Sequence, residues 1–179
     1  TVDGAAARRK CEWFVIRHPR RIEPSSGLME TSRLLLALST AAFVGAWVLD
    51  SRWGLDQGFD HYSDRFDLSK YKVVNLGTVQ KKGDEVMDLA LEWLEGVKAK
   101  KFFAWVHLYD PHTPYEPPEP FLSRYRGQRY LGEVAYTDQV VGRLVSWLKG
   151  AGVWDRTILV LLSDHGESLG EHDYYFDHG

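Results

Sequence analysis

Cysteine is nearly absent from this chain of 179 residues, in which Cys11 stands alone. A single cysteine excludes an internal disulfide framework and any metal site built from several thiolates. A large excess of either sign of charge is also absent, because the formal net charge is only -3. Nucleic-acid-binding domains usually carry a strong basic excess. The composition therefore predicts no nucleic-acid partner.

Long apolar runs are missing as well. The uncharged run at residues 34–49 is interrupted by Ser39, Thr40 and Gly45. It is also shorter than the roughly 18 apolar residues typical of a membrane-spanning helix. The first residues lack a basic segment followed by an apolar run, so no signal peptide is recognisable. We therefore expect a soluble chain without a membrane span, and the localisation stays undetermined.

The first part of the chain differs in character from the rest. Residues 1–33 are basic and have neither a sustained helical nor an alternating apolar pattern. A segment of this kind is typical of an arm that binds nucleic acid or membrane. Alternatively, it is sequence that does not belong to the fold.

Two later segments show the apolar periodicity of amphipathic helices. Residues 84–97 repeat apolar side chains at spacings of three and four, which predicts a helix with one buried face. Residues 131–149 predict a second helix, which Gly150 and Gly152 bring to an end. The side predicted to be apolar in this second helix comprises Val134, Asp138, Val141, Val145 and Leu148, widened by Tyr136, Val140, Leu144 and Trp147.

Three segments predict buried strands, at residues 40–50, 101–108 and 157–163. Their centres are apolar on both faces, which is typical of strands in parallel sheets covered by helices. A loop containing five prolines follows the second strand, at residues 109–121. The order strand, helix, strand, helix, strand predicts a doubly wound α/β fold.

The strongest chemical signal follows the last predicted strand, in the stretch LLSDHGESLGEH. Asp164 and His165 come where this strand ends, and Gly166 permits a sharp turn. Ligands of open α/β sheets bind outside the carboxyl ends of the strands. An adjacent carboxylate and imidazole offer oxygen and nitrogen to a divalent cation. The pair is therefore either a metal site or a coincidental pair in a loop.

A second signal follows the middle strand, in the stretch HLYDPHTPYEPP. His112 lies between Pro111 and Pro114, and this stiff backbone suits a preorganised hydrogen-bond donor to an anionic oxygen. His107, inside the strand, is interpreted as a core histidine with one hydrogen bond. Asp110 either orients the imidazole of His112, caps the turn, or does neither.

A third cluster ends the chain, in the stretch GEHDYYFDHG. Its histidines, His172 and His178, are by themselves interpreted as two exposed loop residues. Glu167 and Glu171 are interpreted as solvated surface carboxylates, because glutamate is rarely buried without a partner.

Three stretches taken together resemble the sulfatase family of the alkaline phosphatase superfamily. They are TAAFVGAWVLDSRWGLDQGFDHYSD, FFAWVHLYDPHTPYEPP and LLSDHGESLGEH, and they follow the family order from about Thr40 onward. The resemblance implies a partial alkaline-phosphatase-like α/β fold with a doubly wound, mostly parallel sheet and flanking helices. It also implies a substrate that is a sulfate ester, or a phosphate ester as in some relatives.

The resemblance assigns expected roles to four residues. Asp164 and His165 match the family's late pair of metal ligands, and His112 matches a histidine that contacts the anionic group of the substrate. His178 falls near a position where many members place a lysine or histidine that serves the leaving group. The implied cofactor is a divalent metal ion, calcium by family, with manganese, zinc or magnesium as alternatives. Two ligands form an incomplete site, so we expect weak binding.

The front of the chain departs from the family pattern. Members begin with a strand ending in paired aspartates, followed by a Cys/Ser-x-Pro/Ala-x-Arg motif that yields the formylglycine nucleophile. Cys11 is followed by Trp13 and Val15 at the positions of Pro/Ala and Arg. We therefore expect residues 1–39 to be a poorly matching segment, disordered or misread, and residues 40–179 to form a partial sulfatase-like domain.

The missing nucleophile predicts a fragment that is inactive alone. The alternatives are a pseudoenzyme module that binds an anion and the non-functional product of a broken gene.

Overall fold

The computed structural model describes residues 38–72, residue 74 and residues 77–169, together with the backbone of residues 12–17. Its strands are β1 (Glu12–Arg17), β2 (Leu38–Val44), β3 (His61–Ser63), β4 (Lys101–His107) and β5 (Thr157–Leu162). Its helices are α1 (Gly83–Val97), α2 (Phe121–Arg124) and α3 (Arg129–Gly150). The three predicted strands and the two predicted helices are all present. None of these helices is long and apolar enough to cross a bilayer.

The five described strands form one sheet in the order β3-β2-β4-β1-β5. β2 runs parallel to β3 and to β4, whereas β1 runs antiparallel to both β4 and β5. It follows that β2, β3, β4 and β5 share one direction. The α/β fold with a mostly parallel sheet and flanking helices is therefore confirmed.

β1 lies in the part of the chain for which the sequence predicts no regular element. Its residues from Glu12 to Ile16 pair with β4, and those from Glu12 to Arg17 pair with β5. This strand therefore separates the two strands that carry the motifs. The division of the chain at residue 39 stays a prediction.

The core lies between the sheet and helices α1 and α3. Phe43 of β2 and Phe102 of β4 are fully buried, and they pack with Leu94 of α1 and Leu144 of α3. Burying side chains of this size stabilises a fold by about 1.5–3 kcal/mol each. The core therefore holds both helices on the sheet that positions the two motif loops.

Contacts from outside the helix satisfy the first two backbone N–H groups of α1. The backbone N–H of Gly83 donates to Asp110 Oδ2 at 2.8 Å, and that of Asp84 donates to the Tyr136 hydroxyl at 2.8 Å. Lys82, at the N-cap position, makes no capping bond with its side chain. Because the first N–H groups of a helix need acceptors, the start of α1 is set by tertiary contacts.

Helix α3 buries Tyr136, Val140, Val141, Leu144 and Leu148 of the side that the sequence predicts, but not the whole of that side. Asp138 is exposed and Val134 and Val145 are only half-buried. The buried side consists of Tyr130, Gly132, Glu133, Tyr136, Thr137, Val140, Val141, Leu144 and Leu148. The prediction was wrong in part because it left out Glu133 and Thr137. Both residues are polar, but their side chains are buried because they form hydrogen bonds with a distant loop.

Strand β5 is less buried than its apolar sequence predicts. Ile158, Leu161 and Leu162 are 52%, 50% and 48% exposed. β5 ends the described sheet and has one described strand neighbour, so its side chains receive less cover than those of β2 or β4. The expectation of burial on both faces was therefore wrong for this strand.

Candidate functional site

Two loops leave the sheet at the same edge. The proline loop (residues 108–120) follows β4, and the DHG loop (residues 163–169) follows β5. Because β4 and β5 point the same way, both loops emerge at the carboxyl edge, where ligands of open α/β sheets bind. The Tyr115 hydroxyl donates to Glu167 Oε2 at 2.5 Å, and both residues are buried. The two motifs are therefore in direct contact.

The imidazole of His112 lies against the ring of Tyr109. The ring centroids are 4.0 Å apart with an interplanar angle of 20°. His112 Nδ1 lies 2.6 Å from the Thr113 carbonyl, and Nε2 lies 2.7 Å from the Tyr109 hydroxyl. Since a carbonyl oxygen only accepts, Nδ1 carries a proton, and Nε2 of a neutral ring accepts from Tyr109. Donation to an anion through Nε2 therefore requires a second proton on this ring.

Tyr109 connects the two loops electrostatically. Burial, and then the charge of Asp164, raise the pKa of Tyr109 to about 12. The hydroxyl therefore keeps its proton at neutral pH and remains a donor to His112. The charge of Asp164 therefore acts on the same hydroxyl that bonds His112.

Asp164 and His165 offer one oxygen and one nitrogen close together. Asp164 Oδ1 accepts from the backbone N–H of His165 at 2.9 Å, and Oδ2 lies 3.6 Å from His165 Nε2. His165 Nδ1 lies 2.7 Å from the Gly166 carbonyl, so Nδ1 is the protonated nitrogen and Nε2 carries the lone pair. This donor pair fits two ligands of a divalent cation.

A complete metal site is not assembled within the described part of the chain. Among those residues, no group of three or more His, Cys, Asp or Glu side chains is arranged to hold a metal ion. The metal-ligand roles of Asp164 and His165 therefore stay predictions. His178, together with His172 and Glu171, lies outside the described residues, so its leaving-group role also stays a prediction.

The structure decides two further interpretations. Glu167 is 6% exposed and accepts from Tyr115, so its interpretation as a solvated carboxylate was wrong. His107 is 7% exposed, and its Nδ1 accepts from the backbone N–H of Gly45 at 3.4 Å. The interpretation of His107 as a core histidine is confirmed.

A buried charged cluster, which the sequence did not predict, lies behind His112. It consists of Lys82, Asp110 and Glu133, and the two carboxylates are 2% and 1% exposed. Lys82 Nζ lies 3.3 Å from Asp110 Oδ1 and 3.5 Å from Glu133 Oε1. A sequence signal was present, because Glu133 falls on the same helical stripe as Val140 and Leu144.

Burial dominates the electrostatics of this cluster. Burial, and then the charge of Asp110, raise the pKa of Glu133 to about 7. Burial also raises the pKa of Asp110 above its ordinary value, against the opposing charge of Lys82. Burial alone lowers the pKa of Lys82, but the two carboxylates outweigh it and raise that pKa above its ordinary value. The carboxylates of Asp110 and Glu133 thus share a single positive charge, the ammonium group of Lys82.

A cavity opens beside the contact between the two loops. Its volume is about 520 Å³. It is lined by Tyr115, Gly127, Gln128, Arg129, Tyr130, Leu131 and Leu169. Because Tyr115 belongs both to this cavity and to the bond with Glu167, the cavity adjoins the carboxyl edge.

Comparison with known proteins fits this arrangement. A family model described as Sulfatase matches residues 36–179. The chain belongs to the sulfatase family. A solved structure similar to this sulfatase-family chain is that of the lipoteichoic acid synthase LtaP from Listeria monocytogenes, with a TM-score of 0.50 and 22% identity over 69% of this chain and 33% of LtaP. At that identity the likeness supports the fold alone.

Curated relatives match this sulfatase-family chain over part of their length. Human iduronate 2-sulfatase is 45% identical over 34% of this chain and 11% of that protein. The multifunctional alkaline phosphatase superfamily protein PehA of Trinickia caryophylli is 23% identical over 46% and 27%. The arylsulfatase of Clostridium perfringens is 20% identical over 43% and 24%. The chain thus spans about a quarter or less of these relatives.

Proposed function

We propose that this chain supplies part of a hydrolase active site that cleaves sulfate esters or related phosphate esters. One observation carries the proposal: the proline loop and the DHG loop meet at the carboxyl edge of the sheet. The bond from Tyr115 to Glu167 joins the loops, and the Tyr109 hydroxyl that bonds His112 is also influenced by the charge of Asp164. In this proposal, a tetrahedral oxyanion binds at the carboxyl edge of the sheet.

Each candidate residue has a distinct role in this proposal. His112, when protonated at Nε2, donates to an oxygen of the anionic group and stabilises the charge that develops there. The Tyr109 hydroxyl then turns from His112 toward the same oxygen or toward water. Asp164 and His165 hold a divalent cation, which when bound stabilises charge on the transferring group.

The organic part of the ester has a separate place. The cavity beside Tyr115 is about 520 Å³ in volume and presents the side chains of Tyr130, Leu131 and Leu169. Ligand pockets of this size and apolar character take ring-shaped or aliphatic groups. We propose that the leaving group lies here, and that His178 serves its departure.

The isolated chain is proposed to be inactive. No cysteine or serine among its 179 residues begins a Cys/Ser-x-Pro/Ala-x-Arg motif. A covalent mechanism without its nucleophile retains at most a small residual rate. This chain therefore holds and orients groups around the anion, while the attacking oxygen comes from a segment that carries the motif.

A complementation experiment tests this function. A fusion places a family segment with the paired aspartates and nucleophile motif before Thr40, and a family C-terminal segment after Gly179. We expect it to hydrolyse an aryl sulfate or an aryl phosphate. His112→Ala should lower its rate by about 10²-fold or more, as the loss of one oxyanion donor typically does.

Two controls make the experiment decisive. His61→Ala removes an exposed histidine from β3 and should leave the rate of the fusion unchanged. The chain of 179 residues alone should show no turnover. An active fusion that is indifferent to His112→Ala would refute the role of His112, and turnover by the chain alone would refute its inactivity.

A further inference from the structure

Behind the proline loop, the carboxylate of Glu133 bridges two backbone amides. Its Oε2 accepts from the N–H of His112 at 3.1 Å, and its Oε1 accepts from the N–H of Glu116 at 2.7 Å. The three residues between these two amides form the turn that follows His112. A single side chain of α3 therefore holds both ends of that turn.

The neighbours of Glu133 extend this attachment to both helices. Lys82, before α1, donates to the Glu116 carbonyl at 3.2 Å as well as to the two carboxylates. Thr137, one turn beyond Glu133 on α3, donates to the Asp110 carbonyl at 3.2 Å. The proline loop is thus fixed by Lys82, just before α1, and by side chains of α3.

Close packing at α3 supports the same attachment. A Cβ added at Gly132 would come within 2.9 Å of Pro117 Cγ. Glycine at this position therefore lets the proline loop lie directly on α3, beside Glu133.

Stability alone does not account for a buried carboxylate at this position. Burying charged groups costs several kcal/mol each, and replacement by well-packed apolar residues is often neutral or stabilising. Glu133 is 1% exposed and shares one lysine with a second buried carboxylate. What the carboxylate provides, and an apolar side chain does not, is two acceptors at fixed positions for the loop amides.

We propose that Glu133 is a positioning residue that holds the His112 imidazole at the carboxyl edge by bonding the backbone amides of His112 and Glu116. This inference rests on the proposed function, since His112 is there the group that meets the anion. Glu133 itself bonds backbone amides and Lys82, and it touches no substrate. It acts by restricting the conformations of the turn, so that the imidazole is already oriented toward the oxyanion when the substrate binds.

Hydrogen exchange of the full chain, measured by mass spectrometry at low protein concentration, tests the attachment. Glu133→Gln keeps the size of the side chain, but an amide nitrogen cannot accept, so at least one loop amide loses its acceptor. Exchange in residues 109–116 should accelerate by about tenfold, as the loss of one buried hydrogen bond implies. Exchange in β4 and α3 should change far less.

Asp138→Asn is the matched control, because it removes an exposed carboxylate from the same helix. It should leave the exchange of residues 109–116 unchanged. If Glu133→Gln accelerates exchange equally in every segment, or in none, the positioning role is wrong, since the residue then acts on global stability or on nothing.

The complementing fusion supplies a second readout. Glu133→Gln should lower kcat by about tenfold with little change in KM, because a misplaced imidazole weakens an interaction made mainly in the transition state. Asp138→Asn should change neither constant. An active fusion whose kcat is unaffected by Glu133→Gln would overturn the inference. A fusion without any activity would refute the proposed function instead, and the exchange experiment would still decide whether Glu133 holds the loop.

Discussion

At the scale of single residues, Glu133 has two effects: it fixes the geometry of the proline loop, and its raised pKa makes it bind a proton in the folded chain. Its carboxylate faces Lys82 and Asp110, together with the backbone amides of His112 and Glu116, and its charge helps to raise the pKa of Tyr115. Burial and Asp110 raise the pKa of Glu133 from 4.5 to about 7. The ionised form that bonds both amides is therefore costly near neutral pH.

This cost has a predicted signature in stability. Between pH 4.5 and about 7 the folded chain holds a proton at Glu133 that the unfolded chain has released. Stability from this group is therefore fully present below pH 4.5 and is lost as pH rises through about 7. We expect the free energy of unfolding of the wild type, relative to Glu133→Gln, to fall by about 1–3 kcal/mol across this window.

Urea unfolding at several pH values, at low protein concentration, measures the difference. Subtracting the variant from the wild type removes the contributions of the titrating groups that do not interact with Glu133. Parallel pH profiles for the two proteins would contradict the raised pKa of Glu133.

At the scale of elements, the end of β2 meets the end of β4 at Gly45. The Gly45 N–H donates to the His107 carbonyl at 3.1 Å. A Cβ at this position would lie 3.0 Å from that carbonyl oxygen and 3.2 Å from the Tyr109 nitrogen. Both atoms are backbone, so neither can move without shifting the start of the proline loop.

Gly45→Ala is accordingly expected to destabilise the chain by about 1–3 kcal/mol, the usual cost of overpacking. Gly96→Ala is the matched control, because a Cβ at position 96 of α1 meets nothing within 4 Å. Alanine there should stabilise the helix by up to about 1 kcal/mol. Urea unfolding compares the two variants, and a neutral Gly45→Ala would mean that the strands can separate at little cost.

At the scale of the whole molecule, the described sheet ends in an apolar edge strand. Ile158, Leu161 and Leu162 of β5 are each about half exposed. An exposed apolar edge strand is a template for pairing with another chain. The exposure of β5 follows from its position at the end of the described sheet.

We therefore expect the purified chain to associate as its concentration rises, with light scattering reporting the growth in mass. Leu161→Lys places a charge on β5 and should reduce association. Leu122→Lys, at an exposed leucine of α2, should not. A chain that stays monomeric at every concentration would count against this surface.

Local sequence determined two helices, three of the five described strands, and the family. The spacing of apolar side chains predicted α1 and α3, and continuous apolar runs predicted β2, β4 and β5. These patterns are visible in sequence because each depends on neighbours within one or two turns, or on alternate residues of one strand. Motif order likewise led to the sulfatase family without any coordinates.

Only the tertiary structure decided which polar groups are buried and what they bind. Glu133 bonds the amide of His112 from 21 residues away, and Glu167 meets Tyr115 across 52 residues. Pairing of β1 with both β4 and β5 is also non-local, and no periodicity within Glu12–Arg17 indicates it. A polar side chain is stable in a core only when a hydrogen-bonding partner lies next to it. Its burial therefore follows from the folded arrangement of distant segments and not from its own neighbours in the sequence.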